Sequence, residues 1–130
     1  MMEKLRKLTG TEDQVDRSWA EIRRLQDCLR KLFDGHGYRT IETPMLEPTE
    51  LFVRKGGGEL ANLLYSFTDP GGNSVSLRPE YTSSIIRWFL EGDGSAEPPV
   101  RAQYSGPVFR YVERGDGLRQ FNQSGVELIG

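Results

Sequence analysis

Between positions 17 and 33 the apolar residues Trp19, Ile22, Leu25, Cys28, Leu29, Leu32 and Phe33 recur every three or four residues, the period of one face of an α-helix. The stripe predicts an amphipathic helix capped by Asp16 or Ser18. It exits at Gly35-His36-Gly37, because glycine tolerates the left-handed backbone of a helix end. Cys28 lies on the stripe and is expected as a small core hydrophobe. His36, in the exit turn, is expected to bond the last carbonyls or face water rather than act as a base. From 38 to 43 the pattern becomes β-like, with Tyr38, Thr40, Ile41 and Thr43, and Pro44 holds the residue before it extended.

Farther along, Gly56-Gly57-Gly58 predicts a mobile loop. It lacks the Lys-Ser/Thr ending of a phosphate-binding loop and the spacing of a dinucleotide fingerprint. Leu63, Tyr65 and Phe67 alternate with Leu64, Ser66 and Thr68, a turn follows at 69–73, and alternation resumes at Val75 and Leu77, which predicts an antiparallel hairpin. Thr82 or Ser83 caps a short apolar helix containing Ile85, Ile86, Trp88, Phe89 and Leu90. A surface loop is expected at 92–99. Two strands, 103–111 and 121–128, close the chain around a loop at 113–117. The predicted fold class is α+β, an antiparallel sheet with flanking helices, in one domain spanning 1–130.

Composition narrows the function classes. The 130 residues carry 17 Lys and Arg against 19 Asp and Glu, a net charge of -2. The basic stripe of a free-standing nucleic-acid binder is missing, and the arginines are spread along the chain. A span of ~20 apolar residues is also missing, so no membrane partner is expected and a cytoplasmic location is. One cysteine and one histidine offer no internal disulfide and no metal-ligand spacing, so no metal site is predicted.

The chemistry concentrates in two places. On the last predicted strand Arg119, Phe121, Gln123, Gly125 and Glu127 share one side, placing a cation, an aromatic ring, an amide and a carboxylate where a core strand would be apolar. A guanidinium can clamp phosphate or carboxylate through paired hydrogen bonds, and a ring beside it can stack a base. The same face also reads as a solvated sheet surface with charged pairs. Leu77-Arg78-Pro79-Glu80-Tyr81-Thr82 is the second cluster, at a strand-to-helix junction. Its carboxylate and hydroxyl can accept from an ammonium group, or serve the helix as Thr82 cap and solvated Glu80.

Several tracts together resemble class II aminoacyl-tRNA synthetases. Gly37-Tyr38, Ile41-Glu42-Thr43-Pro44, Glu47 and Leu51-Phe52 look like motif 1, about 19–52. Phe109-Arg110 through Glu127 looks like motif 2, about 106–130. Gly10-Thr11-Glu12-Asp13, Arg54-Lys55-Gly56-Gly57-Gly58-Glu59, Tyr65-Ser66-Phe67 and Leu77 to Thr82 resemble the histidyl branch.

That resemblance implies ATP-dependent activation of histidine and its transfer to tRNA. Arg110 would be the catalytic residue, on the ATP α-phosphate and the amino-acid carboxylate. Glu80 and Thr82 would hold the histidine α-amino group, with Gln123 and Glu127 as further substrate contacts. Phe121 would stack adenine, and Arg119 would join Arg110 on the nucleotide. ATP with Mg2+ is the expected cofactor, and a homodimer through motif 1 the expected assembly. The chain ends at Gly130, before the family's histidine-recognition segment, motif 3 and anticodon-binding domain. It therefore reads as the N-terminal part of such a catalytic core, without stand-alone activity, and with tRNA binding supplied by other segments. Two departures stand out: Tyr81 occupies a position where histidyl enzymes usually have glycine, and the motif 2 loop after Tyr111 is irregular. The alternative is a non-catalytic paralogue resembling the regulatory subunit of ATP phosphoribosyltransferase, partnered by a phosphoribosyltransferase catalytic chain.

Overall fold

The computed structural model of the protein describes residues 4–92, 97–113, 115 and 117–130, with 55–57 described by backbone only. The predicted loops at 92–99 and 113–117 therefore lie partly outside the described residues. Helix α1 (Asp16–Gly35) is followed by β1 (Arg39–Thr40), β2 (Leu46–Pro48), α2 (Thr49–Ala61), β3 (Ser66–Thr68), β4 (Ser74–Leu77), α3 (Thr82–Glu91), β5 (Val100–Phe109) and β6 (Gln120–Ile129). The class is α+β, as the periodicity predicts.

Two three-stranded sheets form, ordered β1-β5-β6 and β2-β4-β3. The long antiparallel β5–β6 ladder pairs Val100 with Ile129 through to Phe109 with Gln120. One pair departs from the antiparallel expectation: β1 runs parallel to β5, Arg39 against Ala102 and Thr40 against Gln103. The predicted strand at 38–43 shortens because Pro44 turns the chain out of the ladder. The Ile41 amide still donates to the Gln103 carbonyl at 2.9 Å. The hairpin expected around 63–77 is present as β3–β4, with β2 added along the other edge of β4.

Helix α1 has the predicted extent, but its cap works from inside. The Ser18 hydroxyl accepts from the Val15 amide at 3.1 Å and donates to the Val15 carbonyl at 3.0 Å. Gly37 takes φ +77° at the exit, as the glycine pair predicts. Cys28 is exposed, correcting its assignment to the core. The apolar stripe is wider than the contact it makes with the sheet. Ile22, Leu29 and Phe33 are half-buried, while Trp19, Leu25 and Leu32 face solvent. The triple glycine is also corrected: Gly56, Gly57 and Gly58 lie inside α2 rather than in a loop. Thr49 to Val53 ahead of them and Glu59 to Ala61 behind carry the helical register across, overriding a low propensity worth ~1 kcal/mol per glycine.

The core lies between α3 and the β5–β6 sheet, where Ile41, Tyr81, Ile85, Ala102, Tyr104 and Val108 cluster. Arg78 is fully buried among them. Its Nε donates to the Pro107 carbonyl at 2.9 Å, and Nη1 donates to the Thr43 carbonyl at 2.7 Å and to Glu42 Oε1 at 3.2 Å. Nη2 donates to the Tyr81 hydroxyl at 2.5 Å. A charge with this many acceptors is tolerated in a core because its donors are met. One side chain thereby ties the segment after β1 to the β4–α3 junction and to β5.

Candidate functional site at the junction of β4, α3 and the β5–β6 hairpin

The β4–α3 junction delivers Glu80 and Thr82 beside β6 because Arg78 fixes the chain just before them. The Arg78 amide donates to the Met45 carbonyl, and its own carbonyl accepts from the Phe109 amide at 3.0 Å. Strand alternation then places Phe121, Gln123, Gly125 and Glu127 on the sheet face that meets this junction. Ser105 and Ser124, bonded to each other at 2.7 Å, occupy the opposite face toward α1.

The two clusters, more than 40 residues apart in sequence, meet directly. Thr82 Oγ1 donates to Glu127 Oε1 at 2.5 Å, and the Tyr81 amide donates to Gln123 Oε1 at 3.1 Å. Glu80 turns back to the helix start, where both carboxylate oxygens accept from the Ser83 amide at 3.1 and 3.2 Å. Thr82 is thus the first residue of α3, and Glu80 does the capping expected of Thr82. A negative charge there also complements the positive end of the helix dipole. Arg110 completes the group. Its Nε donates to the Pro79 carbonyl at 2.9 Å, and its guanidinium lies 5.1 Å from the centre of the Phe121 ring.

The result is a half-buried surface with carboxylates at one end and a guanidinium on an aromatic ring at the other. Ammonium and carboxylate groups of an amino acid match those ends, and an α-phosphate suits the fork-shaped donor pair of arginine. Such a surface orients charged reactants rather than transferring protons: it holds no histidine.

Residues 10–130 match the family model described as Histidyl-tRNA synthetase. The chain belongs to the histidyl-tRNA synthetase family. It is 39% identical to the histidine–tRNA ligase of Thermococcus kodakarensis over 130 residues, 99% of this chain and 30% of that one. The crystal structure of apo Staphylococcus aureus histidyl-tRNA synthetase superposes with a TM-score of 0.80 at 34% identity, over 98% of this chain and 30% of that one. A Bacillus halodurans structure named as an ATP phosphoribosyltransferase regulatory subunit/histidyl-tRNA synthetase matches at TM-score 0.86 and 29% identity, over 100% of this chain and 34% of that one. The chain spans about 30% of the length of the curated relatives it matches.

Within this histidyl-tRNA synthetase fold the predicted site residues divide. Arg110, Phe121, Gln123, Glu127, Thr82 and Glu80 come together; Arg119 does not join them. The Arg119 guanidinium donates to the Val112 carbonyl from Nε at 3.1 Å and from Nη2 at 2.9 Å, and lies 4.7 Å from the Tyr111 ring centre. Its amide donates to the Gly10 carbonyl, and its carbonyl accepts from the Arg110 amide at 3.0 Å. Arg119 is therefore a clasp at the base of the loop that precedes β6. It stops short of the shared face because β6 begins only at Gln120.

Tyr104 escaped the sequence reading altogether. It is buried, and burial followed by the charge of Glu127 raises its pKa above the ordinary phenol value. Cross-strand pairing carried the signal: Tyr104 sits opposite Gly125, and a Cβ at 125 would stand 2.5 Å from its hydroxyl. A tyrosine opposite a glycine on a polar face marks a side chain that lies across the sheet.

Among the described residues no group of three His, Cys, Asp or Glu side chains is placed to hold a metal ion. Also among them, no helix is long and apolar enough to cross a membrane.

Proposed function

We propose that this chain supplies the amino-acid and α-phosphate side of a histidine-activating site, in a protein that joins histidine to its tRNA with ATP. The observation that carries the reading is the junction itself, where Thr82 meets Glu127 and the Tyr81 amide meets Gln123, with Arg110 anchored on Pro79 alongside. Thr82, Glu80 and Gln123 would hold the α-ammonium group, and Glu127 would accept from the amine or the ring. A carboxylate oxygen of histidine attacks the α-phosphorus, the bond to pyrophosphate breaks, and Arg110 stabilises the charge that builds on the phosphoryl oxygens. Phe121 offers its ring to adenine beside the arginine that grips the phosphate. Mg2+, expected with ATP, would enter with its phosphates.

Family membership supports a homodimer of class II type, formed through the motif 1 region. The solvent-facing residues Trp19, Leu25 and Leu32 on α1 supply an apolar face for it. The cytoplasm, where ATP and tRNA meet, is the expected location. A regulatory paralogue is the second reading, favoured by the Bacillus halodurans neighbour. Its partner would be a phosphoribosyltransferase catalytic chain that co-purifies with this protein.

Histidine-dependent exchange of pyrophosphate into ATP tests the first reading in the protein that carries this chain. We expect exchange that falls at least ~100-fold in Arg110→Ala, the size of loss seen when a charge-stabilising donor is removed. Exchange that survives Arg110→Ala would overturn the role given to Arg110, and no exchange in the intact protein together with a co-purifying catalytic chain would favour the regulatory reading.

A further inference from the structure

We propose that Tyr81 is a positioning residue for the amino-acid pocket, its ring serving as the platform that holds the Tyr104 side chain across Gly125 on the pocket face. The identity of the bound amino acid rests on the histidine-activating reading above; the platform rests on geometry alone.

Tyr81 lies between the two residues assigned to the α-amino group. A bulky side chain pointing into the pocket would fill it. This one turns the other way and is fully buried. Its ring stacks on that of Tyr104 with centroids 4.5 Å apart and planes 13° from parallel. On Tyr81 the Arg78 guanidinium lies 3.9 Å from the ring centre, and Arg78 Nη2 donates to its hydroxyl at 2.5 Å. The room comes from Gly106, where any Cβ would collide with the Tyr81 hydroxyl and would stand 3.1 Å from Arg78 Nη2.

Arg78, Tyr81 and Tyr104 therefore form one stacked series running from the core to the pocket edge. The lower end is fixed by the carbonyls of Pro107 and Thr43. The upper end is Tyr104, which sits opposite Gly125 and lies across it on the face that carries Gln123 and Glu127. On a strand, a tyrosine over a glycine has several rotamers open to it. The ring beneath removes all but the stacked one. Tyr81 contributes to the pocket twice, through its ring below Tyr104 and through its amide on Gln123 Oε1. Only the ring depends on residue type.

Tyr81→Phe, Tyr81→Leu and Tyr81→Met in the protein that carries this chain, with Tyr104→Phe to identify the Tyr104 signals, test the proposal by NMR with L-histidine and ATP as probes. In the Leu and Met variants we expect the Tyr104 phenol to titrate closer to its ordinary value. Histidine affinity should fall about three- to tenfold, the scale of one aromatic pair, with ATP affinity unchanged. Tyr81→Phe, which keeps the ring, should restore both. Two results would overturn the platform: an unaltered Tyr104 titration in folded Leu or Met variants, or histidine and ATP affinities that fall together. Should the unsubstituted protein bind no histidine, the histidine reading fails, and the Tyr104 titration still decides the role of Tyr81.

Discussion

Helix α1 and strand β6 each carry a face whose composition conflicts with its surroundings, and they resolve the conflict in opposite ways. The α1 stripe is apolar yet largely open: Trp19, Leu25 and Leu32 are 52%, 61% and 54% exposed. The inward face of β6 is polar yet half-covered, because Thr82 and the Tyr81 amide meet Glu127 and Gln123 there. Polar groups in the interior demand partners, and β6 finds them within the same chain. Apolar groups at the surface ask only to be covered, and Trp19, Leu25 and Leu32 stay open among the described residues. Periodicity alone cannot distinguish the two cases, since it reports which residues share a side and not what lies opposite them.

The sharpest way to break the comparison is to remove what brings the β6 partners together. Arg78→Ala takes away four side-chain contacts that join three segments around the junction. Denaturant unfolding should show a loss of about 3–5 kcal/mol, the range for breaking a buried charged network. A loss under ~1 kcal/mol would mean that the junction holds without it.

A smaller effect is set by pH. Burial, partly offset by Arg78, pushes the Tyr81 phenol from 10.0 up to about 12. The folded state thus keeps this proton more tightly than the unfolded chain does. Its contribution is fully present below pH 10.0 and is lost as pH rises toward about 12, on the order of 2 kcal/mol in all. Thermal unfolding followed across that window should show the decline, and Tyr81→Phe should flatten it.

The smallest stability effect belongs to α1. Leu25→Ser with Leu32→Ser should change the unfolding free energy of the dilute chain by less than ~0.5 kcal/mol per site, as for exposed positions generally. Sedimentation of concentrated protein should show self-association weakened by the same pair. A large loss in the dilute chain would instead place the stripe in the core.

These contrasts also explain what the sequence made legible. The β5–β6 hairpin and the shared face of Phe121, Gln123, Gly125 and Glu127 followed from the two-residue period of a strand, which puts every second side chain of β6 on one side. The passage of α2 through three glycines did not, because helical neighbours on both sides outweigh local propensity. Cys28 was misplaced because a stripe of seven positions is wider than the strip of sheet available to it. Tyr104 was invisible along the chain and becomes visible only when β5 is laid against β6 with Gly125 opposite. Arg119 shows the reverse error: it sits at the right parity for the shared face but one residue before the strand that would impose it.

The central claim is that two clusters distant in sequence make one ligand site while the α1 stripe does not. Backbone amide NMR of this chain during titration with L-histidine and ATP tests it most directly, since shifts register even weak binding. The account predicts changes concentrated at Glu80 to Ser83, Tyr104, Arg110 and Phe121 to Glu127, with Trp19, Leu25 and Cys28 unmoved. Changes centred on α1, or changes in only one of the two clusters, would contradict it.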